Sequence, residues 1–163
     1  LEGPKAAMEN AKSPERGIRA FAKAYSAWLT SAEWFDQECY KEMGFQQLRD
    51  WDDNVTIQGN EGWSGDDLMA MYGMWQRGDI TRCTKGGDLE SALKSIKAKV
   101  LLMPCETDQY FRPYVSEREA KSLENATVEI IPSIWGHIGG GGANPKDVDW
   151  MDHRIKLFLR GLA

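Results

Sequence analysis

The chain has 163 residues, 42% of them hydrophobic and seven of them Trp, which excludes a disordered chain and suits one domain with a real core. Its 20 Lys and Arg stand against 25 Asp and Glu, a formal net charge of −5 with no basic run, which argues against nucleic acid. No apolar stretch approaches the ~20 residues that span a bilayer. The start Leu1-Glu2-Gly3-Pro4-Lys5 carries no basic region followed by an apolar stretch, so we expect a cytoplasmic location. Cys39, Cys83 and Cys105 are odd in number and form no C-x-x-C pair. Metal and disulfide-scaffold patterns therefore fail on spacing, and three buried thiols are expected.

The first half predicts helices. Ser13-Pro14 is a good N-cap and first turn, and Ile18, Phe21, Ala22, Tyr25, Trp28 and Leu29 follow at helical spacing over 14–29. Ser31 caps a second helix with Trp34, Phe35, Cys39 and Met43, stopped by Gly44. A short third holds Leu48 and Trp51, a polar loop covers Asn54 to Glu61, and a fourth aligns Leu68, Met71, Tyr72 and Trp75 before Gly78.

The period then changes. Asp88 caps a short helix with Leu89, Ala92, Leu93 and Ile96 inward, followed by a strand over 99–104, a helix near 114–124, a strand over 127–132 and a terminal helix over 147–160. That last helix sets Val148, Met151, Ile155, Phe158 and Leu159 on one face. Strands alternating with helices predict a parallel sheet. Two parallel strands make a poor domain, because parallel sheets are normally covered on both faces and contain several strands. We expect the C-terminal portion of a larger α/β protein, with an upstream half of the same polypeptide or another chain completing the sheet, or a homodimer closing its edge.

The strand ends carry the chemistry. Within five residues of Pro104 comes Asp108, in Glu106-Thr107-Asp108; within five of Pro132 comes His137, in Trp135-Gly136-His137. Carboxyl ends of parallel strands share one edge, where ligands bind. An acid and an imidazole brought together there form the acid–base part of a Ser/His/acid triad, in the order nucleophile, acid, histidine. Glu106 rivals Asp108, which is favoured because one crossover separates it from His137. The other histidine, His153, points away from the apolar stripe of its helix and is expected in solvent. Gly62-Trp63-Ser64-Gly65-Asp66 lacks the final Gly of G-x-S-x-G and the strand before it, so Ser64 is expected to cap a helix. Gly139-Gly140-Gly141-Gly142 lacks the phosphate-loop pattern and is expected to be a connecting loop.

In order along the chain, Trp75-Gln76-Arg77-Gly78-Asp79-Ile80, Asp88 to Leu93, Ile96 to Leu101, Thr107-Asp108-Gln109-Tyr110-Phe111-Arg112-Pro113 and Ser133-Ile134-Trp135-Gly136-His137 resemble the homoserine O-acetyltransferase-like branch of the α/β-hydrolase superfamily. The resemblance implies the C-terminal part of an α/β-hydrolase fold, with parallel strands and helices over 81–163, preceded by a helical lid over 1–80. It implies Asp108 as triad acid, His137 as triad base and a nucleophilic Ser upstream of this chain. Homoserine acetyltransferases typically follow the triad His with an Asp for the substrate amine, and Ile138 stands there. An unpartnered buried ammonium is costly, so an acyltransferase or ester hydrolase with a less polar substrate is expected. Its partners would be a small-molecule acyl donor, such as acetyl-CoA, and an acceptor, without a cofactor. The alternative is a non-catalytic lid-plus-half-core interaction module.

Overall fold

The computed structural model describes residues 2–58, 62–84 and 87–161. Helices α1 (Glu2–Glu9), α2 (Pro14–Ser26), α3 (Ala32–Asp36), α4 (Leu48–Trp51) and α5 (Gly65–Arg77) come first. Then follow α6 (Leu89–Lys94), β1 (Val100–Leu102), α7 (Pro113–Ala120), β2 (Ala126–Val128) and α8 (Pro145–Leu159). The chain divides into two compact units: Leu1–Ala27 with Phe35–Gly78, and Trp28–Trp34 with Asp79–Ala163.

In the first unit α2 starts as its sequence predicts, with Pro14 in the first turn and the Ser13 hydroxyl accepting the Arg16 N–H. Ser64 caps α5 in the same way, accepting the Asp67 N–H. These two helices bury Phe21, Leu68 and Tyr72, with Met8, Ile18 and Tyr25 against them. Phe21 and Tyr72 meet edge to face at 4.9 Å, a geometry that suits their ring quadrupoles. The helix expected over 31–43 breaks after Asp36. Glu38 takes a left-handed φ of 51°, and a single tight turn, Cys39–Lys41, follows. Asp52–Gln58 is a π-helix rather than the start of the expected loop; 59–61 of that loop lie outside the described residues.

In the second unit β1 and β2 pair in parallel, Val100 with Ala126 and Leu102 with Val128. Pro104 has no N–H to give, yet the ladder resumes beyond it: Ile131 N–H donates to the Pro104 carbonyl and Cys105 bridges Ile131 in the same register. The helix expected to 124 stops at Ala120, because Ser122 and Leu123 N–H bond three residues back and tighten the end. Trp34, Ile131, Cys105 and Trp135 form the buried centre, Trp34 meeting Trp135 edge to face at 6.1 Å.

Two further expectations need correction. The packed face of α8 runs through Asp147, Met151, Arg154 and Phe158, whereas Val148, Ile155 and Leu159 are exposed. Among the described residues nothing covers that stripe, and all three residues of β1 are only half-buried. Cys39 and Cys105 are buried thiols, but Cys83 is exposed; it lies in a short 3-10 turn, Ile80–Cys83, that buries none of its residues.

Candidate active site

Asp108 lies three residues beyond Cys105 and His137 six beyond Ile131, so the histidine loop carries extra chain. A tight turn, Gly136–Ile138, takes up that excess and returns the imidazole to the acid. His137 Nδ1 stands 3.0 Å from Asp108 Oδ2. Glu106 is exposed, and it is Asp108, 4% exposed, that makes the contact.

The carboxylate is held on both sides. Its Oδ1 accepts the N–H of Tyr110 at 2.6 Å and of Phe111 at 3.0 Å, the local turn that an Asp after a strand favours. Burial alone would raise its pKa; the hydrogen bonds from His137, Phe111 and Tyr110 outweigh that and leave it below the usual carboxylate value. An ionised Asp108 accepts only, so Nδ1 carries the proton and donates; in the neutral imidazole that leaves the lone pair on Nε2. Rings fix the imidazole: Tyr110 lies edge-on with centroids 4.7 Å apart and Phe111 is tilted at 5.4 Å. His137 also lines a cavity of about 500 Å³ bounded by Leu102, Met103, Phe111, Ser116 and Glu119. That cavity adjoins the end of β1, whose only strand partner among the described residues is β2.

Bonds that the sequence did not show support the histidine turn. Ile138 N–H donates to the Leu29 carbonyl at 3.1 Å, and the Ser31 hydroxyl donates to the Ile134 carbonyl at 2.6 Å. Ser31 also accepts the Trp34 N–H, the cap expected of it. The Ser133 hydroxyl donates to the Asp147 carboxylate at 2.7 Å and accepts the Trp135 N–H at 3.1 Å. Asp147 is buried at the start of α8, and burial pushes its pKa up despite bonds from Ser133 and Asn144. An Asp in the first turn of a helix that starts Asn-Pro was the available signal.

The remaining candidates stand elsewhere. His153 is exposed on α8. Ser64 lies in the first unit, its hydroxyl donating to Asp67 Oδ2 at 2.7 Å. Residues 139–142 form turns leading to α8.

No protein-family model matches this chain. Ethyl acetate hydrolase of Pseudomonas veronii is 33% identical over 147 residues, 90% of this chain and 42% of that protein. A probable esterase of Corynebacterium glutamicum is 27% identical over 144 residues, 86% of this chain and 40% of that protein. Among solved structures, the acetyl esterase MekB matches with a TM-score of 0.79 and 30% identity, covering 91% of this chain and 44% of that one. An acetylester hydrolase from Corynebacterium glutamicum matches with a TM-score of 0.83 and 24% identity, over 95% of this chain and 46% of that one. The chain thus spans less than half the length of the relatives it matches, and it shares the fold of the corresponding part of these esterases.

Proposed function

We propose that this chain supplies the acid, Asp108, and the general base, His137, of a Ser/His/Asp ester hydrolase for small acetyl esters. One observation supports this above all others: a buried carboxylate, fixed by two backbone N–H groups, meets Nδ1 at 3.0 Å beside an open cavity. Asp108 holds the tautomer in which Nε2 takes the proton of an attacking hydroxyl, and its charge stabilises the imidazolium that results. The hydroxyl oxygen forms a bond to the acyl carbon, the alcohol leaves with the proton from Nε2, and water then releases the acid by the reverse sequence.

We assign the nucleophilic Ser and the oxyanion donors to polypeptide upstream of this chain, pairing with the free edge of β1 and covering Val148, Ile155 and Leu159. In that arrangement residues 81–163 are the C-terminal part of an α/β-hydrolase core and 1–80 are largely its lid. No bound cofactor is needed for such chemistry. Transfer to an alcohol, as in homoserine O-acetyltransferase-like enzymes, differs only in the acceptor; the hydrolase names of the matched relatives favour water.

Labelling the natural source protein with a serine-directed fluorophosphonate, then weighing it intact, tests the assignment. A singly labelled chain well beyond 163 residues that hydrolyses ethyl acetate is expected. An unlabelled protein without esterase activity would favour an interaction module instead.

A further inference from the structure

The acid and the histidine hang on separate loops, and one hydroxyl joins those loops. Thr107 Oγ1 donates to the Ser133 carbonyl at 2.9 Å and accepts the Gly136 N–H at 3.1 Å. Thr107 immediately precedes Asp108 and Gly136 immediately precedes His137, so the Gly136 bond falls one residue from each member of the pair, while the Ser133 bond meets the histidine loop four residues before His137. The two roles are unequal. The Ser133 carbonyl has a second donor in the Cys105 thiol at 3.2 Å, whereas Thr107 is the acceptor at Gly136 N–H.

We propose that Thr107 is a positioning residue: its hydroxyl clasps the histidine loop to the acid loop and thereby sets the reach of His137 Nδ1 to Asp108. A hydroxyl can donate once while accepting through a lone pair, which is what this site uses. Valine fills nearly the same space and can do neither. The Gly136 peptide, itself buried, would then turn toward another acceptor, because an unsatisfied buried N–H is costly. The imidazole is carried on the next residue and moves with it. Ser133 to Asp147 and Ser31 to Ile134 hold the far end of the loop, and Ile138 N–H to the Leu29 carbonyl holds the residue after His137; the bond from Gly136 to Thr107 is the one that ties the residue before His137 to the acid loop.

The kinetic consequence rests on the ester-hydrolase function, whereas the structural one does not, so two measurements separate them. In the intact polypeptide that carries this chain, Thr107→Val is expected to lower kcat by roughly 10- to 100-fold with KM within about twofold, since small misplacements of catalytic groups act on the chemical step. Thr107→Ser keeps the hydroxyl and is expected to stay within about threefold of wild type. Independently, proton NMR at low temperature should show a low-field, exchange-protected Nδ1 proton of His137 in wild type and Thr107→Ser but not in Thr107→Val. If Thr107→Val fails to fold, Thr107→Ala is read in its place. A Val or Ala variant that retains the low-field proton overturns the proposal, as does its absence from wild type. A kcat loss that Ser does not restore, or a change confined to KM, overturns it as well. Wild-type polypeptide without esterase activity defeats the function alone, and the proton signal still decides the clasp.

Discussion

A Cβ placed on Gly136 would stand 2.7 Å from the carbonyl carbon of Thr30. Gly136 also has a φ of +60°, where a side chain is strained by roughly 1 kcal/mol before any clash. The close approach belongs to backbone on both sides, so no flexible atom can yield. We expect Gly136→Ala to cost about 2 kcal/mol or more of unfolding free energy and to displace His137. Urea unfolding of the chain measures the first, and a change under about 0.5 kcal/mol would show that the contact is not needed.

That contact also marks where sequence reasoning stops. Asp108 and His137 were legible because each follows a largely apolar run ending in proline, and a parallel sheet sends such ends to one edge. Leu29, Thr30 and Ser31 were not, since they lie more than a hundred residues before the histidine turn: Leu29 and Thr30 meet it through backbone that carries no residue signature, and the Ser31 hydroxyl reads in the sequence only as a helix cap. Thr107 and Ser133 look like ordinary loop residues; only their partners distinguish them. The α8 stripe failed for another reason. Periodicity tells which residues share a face, but Val148, Ile155 and Leu159 become core only if something lies over them.

The two histidines differ in placement and should differ in consequence. His137 pairs with a buried acid, and His153 is exposed on α8. In the intact polypeptide His137→Ala is expected to reduce kcat for acetyl ester hydrolysis by about 10³-fold or more, and Asp108→Asn by at least about 10²-fold. His153→Ala should remain within about twofold of wild type. Comparable losses from both histidine variants would remove the base from His137.

Two buried carboxylates should give stability opposite pH dependences. Asp108 is held below its ordinary pKa, so its contribution is present above the unfolded value and is lost as pH falls through the folded one. Asp147 is pushed above its ordinary pKa, so its contribution is present below the unfolded value and is lost as pH rises through the folded one. Urea unfolding from about pH 3 to pH 7 checks both signs against single Asn variants. Wild type should gain on Asp108→Asn as pH rises from the acid end, and should lose ground to Asp147→Asn over the range where Asp147 ionises. A difference that does not vary with pH would mean that the carboxylate concerned has the same pKa folded and unfolded.

Ser64 has the sequence neighbourhood of a nucleophile and the bonds of a cap. Its oxygen accepts the Asp67 N–H at 3.1 Å while its proton goes to the Asp67 carboxylate. An acid and a base without a nucleophile cannot form an acyl-enzyme, and the oxyanion donors that account for residual catalysis in damaged triads have no counterpart assigned within this chain. The 163-residue chain alone is therefore expected to hydrolyse p-nitrophenyl acetate no faster than free imidazole and to resist fluorophosphonate labelling. Ser64→Ala should leave that background unchanged while costing about 1 kcal/mol of stability through the lost cap of α5. Rapid hydrolysis by the chain that disappears with Ser64→Ala would move the nucleophile to Ser64 and require the first unit, rather than an upstream segment, to complete the site.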